Sequence, residues 1–192
     1  MTGSEPSAPG RAGCVTEADL RWLRQAIELS RRCPPSQTAF AVGALVVAGD
    51  GSVLATGYSR EGSPYDHAEE AALAKLGPAD PRLGGVVGSE PAVRGVAGSE
   101  PALRGVAGSE LALARATLYS SLEPCAARAS RPHPCAELVI EAGLRRVVIA
   151  WLEPPLFAAG GGAGILRAAG VTVVEVPGLA AKARAVNAAV LG

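Results

Sequence analysis

The chain has 192 residues with 18 basic and 18 acidic side chains, so it can form one domain with a sizeable core but has no global field for attracting nucleic acid. No apolar run approaches the roughly 20 residues of a membrane span, and the small, polar N-terminus lacks the apolar segment of a secretory signal. We therefore predict a cytoplasmic protein with neither nucleic acid nor membrane as partner, whose four cysteines are reduced thiols or metal ligands.

The first predicted elements are a helix and a β-hairpin. Thr16 is the expected N-cap, Asp19 completes a capping box, and the apolar face that follows predicts a helix that ends before Pro34. The continuous apolar run at 41–48 predicts a buried strand. A Gly-Asp-Gly turn then leads into 52–58, which we interpret as the hairpin partner of that strand.

Helical and strand patterns alternate after the hairpin. An Ala- and Glu-rich segment that begins after Asp66, its expected cap, predicts the second helix. The later elements are a strand at 116–122, a helix at 135–142 closed by Gly143, a strand at 146–151, a short helix at 164–169, a strand at 171–176 and a terminal helix at 179–191. This order predicts an α/β fold class with a mixed five-stranded sheet and helices on both of its faces.

One block, at about 84–114, interrupts the predicted domain of residues 16–192. It repeats with a period of ten residues, as GVVGSEPAVR, GVAGSEPALR and GVAGSELALA. The units are short and rich in Gly, and two of them contain Pro, so they cannot bury enough apolar surface to order themselves. We predict a flexible, low-complexity insertion, with a partner-binding arm as the alternative. Residues 1–15 are interpreted as a disordered tail.

A histidine, a glutamate and two cysteines occur together in a pattern typical of a metal site. His67 and Glu69 open the second helix, Cys125 follows Pro124, and Cys135 opens another helix. One imidazole and two thiolates provide the three protein ligands of a catalytic zinc, with a fourth position open to water. Thiolates are favoured at helix N-termini by the helix dipole. We therefore predict that these three side chains bind Zn²⁺ and that Glu69 carries protons.

Each of these residues also has an ordinary alternative role. A histidine before a helix is commonly a surface or capping residue, and a glutamate in the first turn favours the helix dipole. A single cysteine is commonly a small buried hydrophobe. The order and placement of all four favour the zinc site. His133, which lies between the two cysteines, could replace a ligand or contact a substrate.

The segments H-A-E, E-P-C and P-C resemble the zinc signature of the cytidine and deoxycytidylate deaminase superfamily. HAEEAAL, ATLYSSLEPC and RPHPC, with nine residues between the cysteines, are most similar to the pyrimidine deaminase domain of riboflavin biosynthesis, the diaminohydroxyphosphoribosylaminopyrimidine deaminase. The resemblance implies a cytidine deaminase-like three-layer α/β/α sandwich, hydrolytic deamination of an aminopyrimidine and a homo-oligomer. Because the chain ends at Gly192, we expect no reductase domain.

Candidate substrate contacts surround the predicted zinc site. They are Phe40, Val42, Ala68, Glu123, Arg128, Arg131 and His133. The backbone N–H groups of Ala68 and Cys125 could bind a ring carbonyl or developing oxyanion, and Phe40 could pack on a heterocycle. Arg128 and Arg131 could bind a phosphate, although arginines in a loop are more commonly solvated. The family's Asn-Pro-Asn-Val-Gly stretch is replaced here at 38–43, so its asparagine contact is absent.

Other functions remain open from the sequence. A cytidine- or deoxycytidylate-type deaminase, or a deaminase of a related heterocycle in specialised metabolism, would use the same residues. A non-catalytic zinc-binding interaction module is an alternative of another class. Glu69 argues against that module, because a structural zinc needs no proton carrier and prefers four protein ligands.

Overall fold

The computed structural model describes residues 13–76, 113–154 and 161–192. Most of the predicted tail at 1–15 and nearly all of the predicted insertion at about 84–114 lie outside these ranges. Both therefore stay predictions. No helix in the described ranges is long and apolar enough to cross a membrane.

A five-stranded sheet forms the middle layer of the fold, in the order β2-β1-β3-β4-β5. The strands are β1 (Gly43–Val47), β2 (Val53–Tyr58), β3 (Thr117–Ser120), β4 (Arg146–Ile149) and β5 (Thr172–Glu175). β1 runs antiparallel to both β2 and β3, whereas β3, β4 and β5 are parallel. Every residue of β1 is buried, as its continuous apolar sequence predicts. The predicted mixed sheet is thus confirmed.

Helices cover both faces of this sheet. They are α1 (Glu17–Ser30), α2 (Ala68–Leu73), α3 (Cys135–Glu141), α4 (Gly162–Ala168), α5 (Ala180–Val186) and α6 (Ala188–Leu191). α1 packs with α5 on one face, and α3 packs with both α2 and α4 on the other. The predicted three-layer sandwich is therefore confirmed.

Two glycines allow the first two helices to lie close against the hairpin. A Cβ atom on Gly43 would overlap the carbonyl oxygen of Ala26 in α1, and one on Gly57 would overlap that of Ala68 in α2. Gly57 is paired with Ala44, the residue after Gly43, so the two glycines belong to opposite faces. The close contact at Gly57 holds the N-terminus of α2 against the sheet.

The caps of the first two helices are only partly as predicted. The capping box of α1 is confirmed, because Thr16 Oγ1 accepts from Asp19 N at 3.1 Å and Asp19 Oδ2 accepts from Thr16 N at 2.8 Å. The expectation that Asp66 caps α2 is wrong, since His67 is the N-cap. The Asp66 carboxylate instead accepts from the backbone N–H of Gly62 at 3.1 Å.

The predicted terminal helix at 179–191 is interrupted. A 3₁₀ turn at Pro177–Leu179 precedes α5, and Asn187 separates α5 from α6. The Asn187 side chain is buried; it accepts from Ala41 N at 2.7 Å and donates to Ala41 O at 3.0 Å. An asparagine that bonds backbone groups in this way competes with continuation of the helix.

A buried ion pair joins α1 to the sheet. The carboxylate of Asp19 is 1% exposed and accepts two hydrogen bonds from Arg146, at 2.7 and 2.9 Å. The hydroxyl of Tyr119 donates to it at 2.9 Å. Burial would raise the pKa of Asp19, but the hydrogen bonds from Arg146, Thr16 and Tyr119 lower it to about 2. The carboxylate therefore stays charged in the folded protein.

Replacement of Asp19 by Asn should lower the free energy of unfolding by about 3 kcal/mol, because it leaves Arg146 without its counter-charge. Because the folded-state pKa lies below that of the unfolded chain, the wild type should lose this stabilisation as the pH falls from about 4 toward 2. The free energy of unfolding of the variant should lack this decrease between about pH 4 and pH 2. Urea unfolding at several pH values tests both statements.

The matched control is Glu28→Gln, an exposed acid of the same helix that pairs with Arg31. This change should cost less than about 0.5 kcal/mol. An equal loss in the two variants would contradict the assigned role of Asp19.

Candidate metal centre and active site

The starts of two helices and the loop after β3 bring together one imidazole and two thiols. His67 is the N-cap of α2, Cys135 is the first residue of α3, and Cys125 lies in the loop between β3 and α3. The sulfur atoms of Cys125 and Cys135 lie 3.5 and 3.4 Å from His67 Nδ1. Within the described ranges, this is the group that brings three possible ligand atoms within 4.8 Å of one another.

The geometry of this group fits a zinc ion. With Zn–S near 2.3 Å and Zn–N near 2.0 Å, a tetrahedral site places nitrogen and sulfur about 3.6 Å apart. The two observed nitrogen–sulfur distances, 3.5 and 3.4 Å, are close to that value. The backbone N–H of Cys135 also lies 3.4 Å from Cys125 Sγ, which stabilises a thiolate there.

The two thiols interact strongly with each other. Hydrogen bonds from Cys135 and His67, with burial opposing them, lower the pKa of Cys125 to about 4. The hydrogen bond to Cys125 and burial raise the pKa of Cys135 well above its usual range. The presence of one thiolate thus opposes ionisation of the other. A divalent cation between them would allow both sulfurs to ionise, as zinc ligation requires.

Glu69 lies beside these three residues without belonging to the group. Its carboxyl group is 3% exposed, and the hydroxyl of Ser120 donates to Oε1 at 2.6 Å. Burial raises the pKa of Glu69, while Ser120 and His67 partly oppose that rise. The hydrogen bond from β3 fixes the orientation of a carboxylate that lines the neighbouring cavity.

A cavity of about 300 Å³ adjoins the group. Its walls come from the segments 38–42, 59–67 and 122–130, with Glu69 and Glu153. His67 and Cys125 both line it, so the candidate metal position is accessible from the cavity. The volume suits a small heterocyclic ligand.

Four of the predicted substrate contacts line this cavity: Phe40, Val42, Glu123 and Arg128. The ring of Phe40 packs edge-on against Trp151, with ring centroids 5.3 Å apart. The Glu123 carboxylate accepts from the backbone N–H groups of Glu153 and Ala163, at 2.9 and 2.7 Å. Glu123 thus already binds two backbone segments within the protein.

The two arginines of the cysteine spacer are paired with acids. Arg128 Nη1 donates to Glu70 Oε2 at 2.7 Å, and both side chains are buried. Arg131 donates to Asp66 Oδ1 at 2.9 Å and also lies 2.9 Å from Glu70 Oε1. These ion pairs fasten the spacer to the start of α2. The phosphate contact of either arginine stays a prediction.

The other predicted contacts lie elsewhere. The described residues that line the cavity do not include Ala68, Arg131 or His133. The ring nitrogen Nδ1 of His133 lies 3.5 and 3.6 Å from carboxylate oxygens of Glu137 and Glu141. His133 is not in the candidate metal group either, so its substitution for a cysteine ligand has no support from the geometry.

Glu153 is a cavity residue that sequence reasoning missed. Its Oε2 is buried and has no hydrogen-bond partner within the described ranges. Burial, followed by the negative charges of Cys125 and Glu69, raises the pKa of Glu153 to about 7. Its position just after β4 was the available signal, because ligands of open α/β sheets bind beyond the carboxyl ends of parallel strands.

The three-layer fold, the His-Cys-Cys group and the buried glutamate together define a zinc-dependent deaminase domain. The chain belongs to the family described as the cytidine and deoxycytidylate deaminase zinc-binding region, whose model matches residues 16–151. The predicted family and the zinc cofactor are thereby confirmed.

Similar proteins include the riboflavin biosynthesis protein RibD of Aquifex aeolicus, which is 30% identical over 164 residues, covering 83% of this chain and 35% of that protein. The chain is 30% identical, over 154 residues, to the diaminohydroxyphosphoribosylamino-pyrimidine deaminase of Schizosaccharomyces pombe, covering 80% of this chain and 31% of that protein. The structure of Acinetobacter baumannii RibD, form 2, matches with a TM-score of 0.66 and 28% identity, covering 91% of this chain and 39% of that one.

A diaminohydroxyphosphoribosylaminopyrimidine deaminase/5-amino-6-(5-phosphoribosylamino)uracil reductase from Thermotoga maritima matches with a TM-score of 0.57 and 27% identity. That match covers 88% of this chain and 39% of the Thermotoga chain. The chain thus spans between 31% and 39% of the length of these four relatives.

Replacement of Cys135 by Ser should abolish stoichiometric zinc binding, because a catalytic zinc depends on three protein ligands. Wild type and His133→Ala should each retain about one zinc per chain. Metal content measured after gel filtration tests this, with circular dichroism as a check on folding.

Cys14→Ser is the matched control, since Cys14 is exposed and lies outside the metal group. It should retain zinc as the wild type does. Loss of zinc from His133→Ala would instead indicate a closed site with four protein ligands.

Proposed function

We propose that this domain is a hydrolytic deaminase that acts on an aminopyrimidine of the kind processed in riboflavin biosynthesis. The observation that carries the proposal is the His67–Cys125–Cys135 group beside a cavity that also contains Glu69. The substrate class is supported by the deaminase from Schizosaccharomyces pombe, which is 30% identical to this chain.

In this proposal the metal ligands are His67 Nδ1, Cys125 Sγ and Cys135 Sγ. The ion they hold would supply the Lewis acidity that activates water for attack on a ring carbon. The three protein ligands leave one tetrahedral position for that water. The cavity is the route by which the substrate reaches it.

Glu69 is the proton carrier of the reaction. The oxygen of water bonds to the ring carbon that bears the amine, and the carbon–nitrogen bond breaks. Of the two protons of water, one goes to the ring nitrogen and the other to the departing amine, which leaves as ammonia. A buried carboxylate held by Ser120 at 2.6 Å can take up and deliver these protons in turn, without competing for the metal.

The remaining cavity groups suit a polar, aromatic ring. Phe40, held by Trp151, provides an apolar surface for one part of the ring. The Oε2 of Glu153, which has no partner among the described residues, can accept a hydrogen bond from an amino or hydroxyl group. The backbone N–H groups of Ala68 and Cys125 remain the predicted donors to a ring carbonyl.

The cellular setting is inferred from the chemistry of the ligands. Thiolate ligands need a reducing compartment, which supports a cytoplasmic location. The partner is a small molecule, and a homo-oligomer stays a prediction.

The zinc-loaded protein should release ammonia from the phosphorylated diaminopyrimidinone of the riboflavin pathway. Glu69→Gln should lower kcat by about 10²- to 10⁴-fold, because the amide cannot carry protons, and should keep its zinc. Ammonia release and metal content are measured on the same samples.

The matched control is Glu17→Gln, an acid in the first turn of α1 as Glu69 is in the first turn of α2. It should leave kcat unchanged. If ammonia were released only from cytidine or deoxycytidylate, those would be the substrates and the proposed riboflavin-pathway substrate would be wrong. Unchanged turnover in Glu69→Gln would refute the role of the proton carrier.

A further inference from the structure

The charges around the cavity are unevenly distributed. Four acidic residues line it: Glu69, Glu123 and Glu153, and also Asp66, which is paired with Arg131. These acidic side chains offer no positive charge to an anionic group of a ligand, which would find a better partner elsewhere in the cavity.

The arginines of the cysteine spacer do not provide free positive charge. Arg128 is paired with Glu70, and Arg131 is paired with Asp66 and also contacts Glu70. Two positive charges thus meet two negative charges in one compact network. An anion could bind these arginines only by competing with carboxylates that already lie within 2.9 Å of them.

Arg60 is different, because its partners are neutral. Its Nε and Nη2 donate to the carbonyl of Pro34 at 3.1 and 2.7 Å, and its Nη1 donates to the carbonyl of Phe40 at 3.0 Å. No ion pair within the described ranges includes Arg60. It therefore keeps an uncompensated positive charge in the cavity wall.

The backbone of Arg60 is also unusual. In the described ranges it is the non-glycine residue with a positive φ, at 63°. Its N–H donates to Asp66 O at 2.8 Å, so the turn is tied to the residue before His67. Such a conformation costs about 1–3 kcal/mol and persists where the surroundings enforce it, commonly at binding sites.

The three carbonyl contacts hold the guanidinium in place before any ligand arrives. A guanidinium has five N–H donors, and the contacts to Pro34 and Phe40 use three of them. Two donors remain, one on each terminal nitrogen. They suffice for a two-point contact with a phosphate, at little cost in side-chain entropy.

We propose that Arg60 binds an anionic group of the substrate, and that it thereby makes the cavity selective for a phosphorylated aminopyrimidine. The ring would then lie between the carboxylates near the metal group and the segment 38–42, with its phosphate toward Arg60. This inference rests on the proposed deaminase function and assigns the phosphate contact to a residue outside the cysteine spacer.

The test compares the phosphorylated diaminopyrimidinone with its dephosphorylated form. Arg60→Gln should raise KM for the phosphorylated substrate about tenfold, because it removes a charge-assisted hydrogen bond. It should leave KM for the dephosphorylated form, and kcat for both, within about twofold of wild type, since the site of the chemistry is unchanged. Arg60→Lys, which keeps the charge, should recover part of the loss.

The matched control is Arg167→Gln. Arg167 is an exposed arginine of α4 that pairs with Glu175 of β5, far along the chain from the cavity segments. It should change neither KM. An equal rise of KM for both substrates in Arg60→Gln would reduce Arg60 to a structural support of the wall and overturn the proposal. A phosphate preference lost in Arg131→Gln but kept in Arg60→Gln would overturn it as well.

A binding measurement separates this inference from the proposed reaction. Ribose 5-phosphate should bind the zinc-loaded wild type more tightly than ribose does, and Arg60→Gln should abolish the difference in calorimetric titrations. If the wild type released no ammonia but showed this difference, the deaminase substrate would be wrong and the role of Arg60 would stand. Equal binding of the two sugars by the wild type would overturn the role of Arg60.

Discussion

The structure depends on holding two thiol sulfurs, those of Cys125 and Cys135, within 3.5 Å of the imidazole nitrogen Nδ1 of His67. The two sulfurs repel each other when both are ionised, so two thiolates at this position need a cation beside them. Gly57 lets α2 approach the sheet, and the chain after β3 delivers Cys125 to the start of α3. The fold thus brings the three side chains close enough to bind one metal ion.

The ion pairs around the group maintain the same arrangement. Glu70, one turn from His67 in α2, binds Arg128 of the cysteine spacer, and Asp66 binds Arg131. These pairs join the two segments that carry the metal-binding side chains. Glu70 and Asp66 thereby neutralise the two arginines of the cysteine spacer. Among the described residues that line the cavity, Arg60 is then the one cation without an acidic partner. Charge placement in this cavity is therefore a consequence of how the site is built.

Local patterns in the sequence predicted most of the fold and the metal group. The strand β1, the capping box of α1 and the placement of His67 and Cys135 at helix starts all follow from signals within a few residues. The partners of Arg128 and Asp19 could not be predicted in this way, because Glu70 and Arg146 lie 58 and 127 residues away in the chain. The break at Asn187 likewise depends on its contact with Ala41, 146 residues earlier.

The function of the domain depends on its binding one zinc through a nitrogen and two sulfurs, with one position left for water. X-ray absorption at the zinc edge of the purified protein measures this coordination directly. We expect two sulfur atoms at about 2.3 Å and two lighter atoms at about 2.0–2.1 Å, one of them exchangeable with an added anion. A sphere with four protein ligands and no exchangeable position, or one with fewer than two sulfurs, would contradict it.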